Sequence, residues 1–217
     1  MTKFLPQTKE ALLRVLFAVT TMSLITANLC AIKNEAFLGI TLGGGIATIV
    51  IDYVVSDMCA EVFGFKKAIA MRRAAMLCNV ASVLILQVVV LLPADPEFAI
   101  QGEFSTIFTT APLMVAASMV AYMAGTYVND KIMQRLHDQD GERGLFKRCI
   151  ASTVFGGFVD TAVFTVIAYG FTYSAVSNIG NTLLTYALKI AIEAVVFALV
   201  TRRVIAWAKT LPSENAA

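Results

Sequence analysis

Six long apolar stretches dominate this chain, at residues 11–32, 37–63, 74–92, 108–128, 150–171 and 183–204. Each has the roughly 20 mostly apolar residues that a helix needs to cross a hydrocarbon core about 30 Å thick. They are apolar on every side, which suits helices in lipid better than amphipathic helices on a soluble core. The period-2 alternation of a transmembrane barrel is absent. With 58% hydrophobic and 15% charged residues, the composition lies far from that of a soluble domain, which is about 45–50% apolar and 25% charged. Disordered chains, disulfide-stapled secreted domains and ordinary cytosolic enzymes are excluded. The expected fold is all-α: a single polytopic membrane domain over residues 1–217, with six transmembrane helices. A net charge of +2 does not point to nucleic acid as a partner.

The basic residues orient these spans. Fifteen of the seventeen Lys and Arg fall on one set of flanks: Lys3, Lys9, Arg14; Lys66, Lys67, Arg72, Arg73; Lys131, Arg135, Arg143, Lys147, Arg148; and Arg202, Arg203, Lys209. The opposite flanks hold only Lys33, and Lys189 lies inside the sixth span. Both termini are therefore expected in the cytoplasm. The loops 93–107 and 172–182 are expected outside, the first with three carboxylates and no basic residue, the second with no charge. The run 11–32 is too long for a signal-peptide core of about 7–15 residues and lacks a small-residue cleavage site. It reads as an uncleaved first span.

Little in the chain suggests metal or nucleotide chemistry. Cys30, Cys59, Cys78 and Cys149 form no CxxC pair and read as reduced, buried small apolar residues. One histidine, His137, offers no zinc spacing. The polar connection 129–149 carries Asp138, Asp140 and Glu142 without EF-hand spacing and reads as a solvated connector. There is no Walker loop, GxGxxG, HExxH or GxSxG, so neither cofactor nor metal is expected and the chain does not read as an enzyme.

Ionisable groups inside spans cost at least about 2.5–3.5 kcal/mol each at mid-membrane and are functional candidates by default. They are Asp52, Asp57 and Glu61 in the second span, Asp160 in the fifth, and Lys189 and Glu193 in the sixth. Asp57 and Glu61 are four residues apart and share a helix face. Glu61 falls near the cytoplasmic interface, beside Lys66 and Lys67. Lys189 either pairs with Glu193 four residues on, or reaches an aspartate on another helix, Asp57 or Asp160. Buried carboxylates held near their pKa carry protons, which makes Asp57, Asp160 and Glu193 candidates for proton coupling.

Three spans, a loop and three more spans give the arithmetic of an inverted repeat. The middle span of each half opens on glycines, Gly43-Gly44-Gly45 and Gly156-Gly157, and each cluster precedes an intramembrane aspartate. Paired glycine-interrupted spans point to a midplane site, and close packing of spans two and five would bring Asp57 and Asp160 together. A carboxylate-lined interior without an ATPase suggests a carrier for a small solute. Tyr53, Phe63, Phe155, Phe158, Phe164 and Tyr186 are available as walls on which a flat heterocycle stacks.

Three motifs in order carry a family resemblance. Ser56-Asp57-Met58-Cys59-Ala60-Glu61-Val62-Phe63-Gly64 is similar to T-D-x-x-A-E-x-Y-G. Ser152-Thr153-Val154-Phe155 with Asp160-Thr161-Ala162-Val163-Phe164 is similar to S-T…D-T-x-x-F, and Tyr186-Ala187-Leu188-Lys189 to an aromatic-x-x-K. Thr26-Ala27-Asn28 looks like the accompanying turn in span one. The chain thus resembles the VUT family, the bacterial queuosine precursor transporters. The stretch Ile49-Val50-Ile51-Asp52 departs from the family pattern, so the resemblance gives Asp52 no role.

The resemblance implies import of 7-cyano-7-deazaguanine, 7-aminomethyl-7-deazaguanine or queuine across the inner membrane, for salvage into tRNA modification. Asp57, Asp160, Lys189, Asn28, Glu61 and Tyr53 are then the substrate-binding candidates. A guanine-like edge offers N1–H and a 2-amino group to a carboxylate and accepts at O6 from Lys189 or Asn28. The rival is a substrate-binding subunit of an energy-coupling-factor transporter, docking through small residues such as Ala27 and Ala31. The implied partners are the heterocyclic substrate and the lipid bilayer. Apolar surfaces leave a homo-oligomer open.

Overall fold

The structure is a computed structural model and describes residues 6–37, 40–140, 145–170, 175–196, 199 and 202–213. Helix α1 covers Lys9–Cys30, with the Thr8 hydroxyl accepting from the Ala11 amide at its start. The chain then forms a short antiparallel hairpin, β1 (Asn34–Phe37) and β2 (Ile40–Gly43), in register Asn34↔Gly43 and Phe37↔Ile40. Helix α2 begins only at Ile46 and ends at Phe63. The expected single span over 37–63 is thus a hairpin followed by an 18-residue helix. The glycines explain the division. Gly44 and Gly45 lie directly against the last carbonyls of α1, where a Cβ on Gly44 would come within 2.7 Å of the Cys30 oxygen.

Gly64, at φ 89°, reverses the chain without a side-chain penalty. Helix α3 follows at once, Phe65–Leu91. It starts nine residues before the expected boundary at 74, so Arg72 belongs to the helix body rather than to a flank. Helix α4 runs forty residues, Gln101–Asp140. At 1.5 Å per residue it is about 60 Å long, twice the hydrocarbon thickness. The connector expected at 129–149 is therefore helical as far as Asp140. Pro112 within α4 has no N–H to give the Phe108 carbonyl. Gln87 of α3 supplies the missing donor, its side-chain amide bonding that carbonyl at 2.7 Å.

Helix α5 covers Leu145–Tyr169 and α6 covers Ala175–Val196. The uncharged loop expected at 172–182 is mostly the first two turns of α6, which has no proline to stop it and carries Gly180 within the helix. A short helix α7, Arg202–Lys209, folds back on α2.

Helix α4 packs most extensively on α5, where Gly125 meets Gly156: a Cβ on Gly125 would sit 2.8 Å from the Gly156 carbonyl oxygen. The expected tight seam between spans two and five is not formed among the described residues. There α5 closes chiefly on α4 and α6, while α2 packs mainly on α1 and α3. A cavity lies where that seam was expected.

Two apolar clusters close the hairpin end: Ala31, Met114, Ala117, Ala168 and Tyr169, and beside them Val83, Ala111 and Val115. A third seals the opposite end, joining Leu12 and Leu16 of α1, Val55, Met58 and Cys59 of α2, Ala68 and Met71 of α3 and Ala208 of α7. The outer faces are also apolar: Leu77 is 69% exposed and Leu91 84% exposed. Extended apolar surface of this kind fits a lipid environment, not water. Among the described residues, three helical segments are long and apolar enough to cross a membrane: Lys9–Cys30, Lys66–Leu91 and Gln101–Val128. Val154–Tyr169 and Ile179–Ile192 are shorter apolar segments. The cysteines do not all face inward as expected. Cys59 is buried, whereas Cys30 and Cys78 are on the outer surface, where a thiol is as acceptable to lipid as to a core. The side chain of Cys149 lies outside the described residues.

Candidate functional site

The cavity lies between α1, the hairpin and α2–α6, with about 960 Å³ of empty space including its open mouth. Its lining from α1 and its C-cap is Leu24, Ala27, Asn28 and Ala31, two turns of one helix face. Asn28 is fixed at both ends of its amide. Its nitrogen donates to the Leu24 carbonyl at 3.1 Å, and its oxygen accepts from the Ser118 hydroxyl of α4. On the hairpin side, the Tyr169 hydroxyl donates to the Ala31 carbonyl at 2.8 Å, with Gly43 lying against the phenol. Phe164 meets Tyr169 edge to face, ring centres 5.9 Å apart.

Among the described residues two ion pairs stand on this lining. In the first, Arg72 of α3 donates to Asp52 Oδ2 of α2 at 3.0 Å, the side chains being 16% and 3% exposed. The Arg72 guanidinium also lies over the Tyr122 ring, 5.4 Å from its centre. In the second, Lys189 Nζ of α6 lies 3.9 Å from Asp160 Oδ2 of α5 and donates to the Thr161 hydroxyl at 3.1 Å. Asn181, Thr185 and Lys189 succeed one another at four-residue spacing, so all three face the cavity from α6. Acceptors, ammonium and guanidinium donors and aromatic faces therefore share one compartment.

Three sequence candidates, Asp160, Lys189 and Asn28, come together here. Lys189 reaches Asp160 on another helix; the other reading of Lys189, a pair with Glu193, lies outside the described residues. Glu61 is not on the cavity lining. It sits near the end of α2, 58% exposed, and pairs with Lys209 of α7 at 3.3 Å rather than with Lys66 or Lys67. The Gly64 turn puts those two lysines on the next helix, while the folded-back α7 brings Lys209 to the carboxylate. The side chains of Asp57, Tyr53 and Glu193 lie outside the described residues.

Of the six aromatic candidates, only Phe164 is among the described lining residues; Phe155 and Phe158 are exposed on the outer face. Tyr122 and Tyr169 form the aromatic lining instead. Arg72, Ser118, Thr161, Asn181 and Thr185 also line it unforeseen. Arg72 reads in sequence as part of a Lys/Arg flank; the usable signal is its spacing of eight from Gly64, more than two turns into α3. Ala27 and Ala31, the small pair available for docking a partner module, are turned into the cavity at 6% and 4% exposure.

Residues 43–203 match the family model described as "Putative vitamin uptake transporter", so the match covers most of the chain and every charged residue of the cavity. No curated protein and no solved structure matches. A carboxylate- and amine-lined cavity among long apolar helices is what solute uptake requires, and the chain belongs to this vitamin uptake transporter family.

Proposed function

We propose that the protein imports queuosine precursors, 7-deazaguanine bases, as a secondary transporter of the bacterial inner membrane. In this reading six spans cross the bilayer with both termini in the cytoplasm, as the fourteen-to-one distribution of basic residues on the flanks suggests once Arg72 is assigned to the cavity. The observation that carries it is the Asp160–Lys189 pair beside Thr161 on the lining of a single cavity. Asp160 accepts N1–H and the 2-amino group of a guanine-like edge, and Lys189 donates to O6. Tyr122, Phe164 and Tyr169 supply faces for the flat ring system. Asn28, held by Ser118 and Leu24, shapes the opposite wall. Asp57 and Glu193 stay in the proposal as proton carriers alongside Asp160.

The test is uptake rescue in bacteria that neither make queuosine precursors nor import them. With nanomolar precursor in the medium, queuosine in tRNA is read on a boronate-affinity gel. Wild type is expected to restore the shifted tRNA band, and Asp160→Asn and Lys189→Met to abolish it. Normal rescue by both variants, or none by wild type shown to be in the membrane, refutes this reading.

A further inference from the structure

The two ion pairs of the cavity occupy equivalent places in the two halves of the chain. Asp52–Arg72 joins the middle helix of the first half to its third helix, α2 to α3. Asp160–Lys189 joins α5 to α6 in the same way. Each aspartate follows its own glycine cluster. Under an inverted repeat, the first pair is the counterpart of the second. The family resemblance gives Asp52 no role, and the sequence places Arg72 outside the membrane; the structure sets both on the cavity lining.

The chemistry of the first pair suits a ligand contact. Asp52 is almost wholly buried, one carboxylate oxygen is taken by Arg72, and the other, Oδ1, is buried with no hydrogen-bond partner among the described residues. A buried carboxylate oxygen left unpartnered is costly, and a ligand donor removes that cost. Arg72, oriented by Asp52 and by the Tyr122 ring, places donors at the same spot. The two poles differ in what surrounds them. Asp160 and Lys189 have Thr161, Asn181 and Thr185 about them, enough for the several groups of a guanine-like edge. Asp52 and Arg72 offer one acceptor and one donor set, enough for a single small substituent.

We propose that Asp52 and Arg72 form a second ligand-binding pole, which reads the substituent on the five-membered ring of the bound heterocycle. This rests on the functional reading above. A cationic aminomethyl group donates to Asp52 Oδ1. A nitrile, which only accepts, takes a hydrogen bond from Arg72. One pole thus serves both substituents through different members of the pair.

The experiment measures KM for uptake of 7-aminomethyl- and 7-cyano-7-deazaguanine in wild type, Asp52→Asn and Arg72→Gln, each normalised to its amount in the membrane. The readout is the ratio of the two KM values. Asp52→Asn is expected to shift it about tenfold or more against the aminomethyl compound, and Arg72→Gln as far against the nitrile, the size of one charge-assisted hydrogen bond. Asp160→Asn, at the shared edge, weakens both alike. A pair with a merely structural role would weaken both ligands equally in all variants, and an unmoved ratio overturns the proposal while leaving the transport reading intact. If either variant fails to accumulate, Asp52→Glu and Arg72→Lys keep the charges but move the contact atoms. A shifted ratio in these supports the proposal and an unshifted one overturns it. Wild type importing neither compound defeats the transport reading, and this proposal with it.

Discussion

Replacing Gln87 by methionine keeps the length and much of the shape of the side chain but removes its donor. The Phe108 carbonyl then loses its only replacement for the N–H that Pro112 lacks. A partly buried acceptor stripped of its partner costs about 1–3 kcal/mol; as the group is only part-buried, the lower half, about 1–2 kcal/mol, is expected. For a chain of this length that lowers the melting temperature by roughly 2–8 °C. The effect should depend on the proline. Pro112→Ala restores the N–H, so Gln87→Met made in that background should be nearly neutral. The double-mutant cycle should therefore show a coupling of about 1 kcal/mol or more. The assay is thermal unfolding of the four purified proteins in the same detergent, followed by tryptophan fluorescence from Trp207. Equal cost of Gln87→Met in both backgrounds refutes the reasoning, because the glutamine would then be acting through packing alone. The consequence reaches the site, since Ser118 and Tyr122 line the cavity from the turns of α4 that follow Pro112.

Other outcomes follow from the same geometry. Glu61→Gln, at an exposed pair away from the cavity, should leave uptake within about twofold of wild type, since exposed ion pairs contribute little; a tenfold loss in the rescue assay would return Glu61 to the site. Gly125→Ala forces α4 and α5 apart at the Gly156 carbonyl and should destabilise by about 1–3 kcal/mol, read as a lower melting temperature; an unchanged value would mean the helices do not meet there. Lys189→Met should reduce accumulation in the membrane by exposing the Asp160 charge, and adding Asp160→Asn should restore accumulation but not uptake.

Helix existence was legible because twenty apolar residues in a row leave the backbone few alternatives in lipid. Helix ends were not. Hydropathy falls at Lys66, Arg72 and Lys131, yet the helices continue through them, because lysine and arginine are good helix formers and polarity does not unwind a backbone. The hairpin before α2 was missed for the opposite reason: residues 37–43 are apolar enough to look like the start of a span, yet they pair as strands, and Gly44 and Gly45 lie close against α1 just before α2 begins. At the site, Asp160 and Lys189 were visible because charge stands out in an apolar run. Ser118, Thr161 and Thr185 were not, since hydroxyl residues are ordinary in membrane helices and only the fold turns these three toward the cavity. Arg72 was read as lying before the third helix because a count of basic residues cannot tell one beyond a helix end from one two turns inside it.

The end of the molecule opposite the hairpin has a consequence for how the chain is made. The amide of Lys9 bonds the carbonyl of Pro212 at 3.0 Å, and Leu12 and Leu16 share an apolar cluster with Ala208. Some two hundred residues separate these partners, and a ribosome adds about 5–20 residues each second. The first helix must therefore wait in the bilayer for roughly ten seconds or more, with part of its contact face covered only by lipid. Truncation within α7 would leave that wait without an end, and membrane proteases would meet an α1 that never finds its last neighbour.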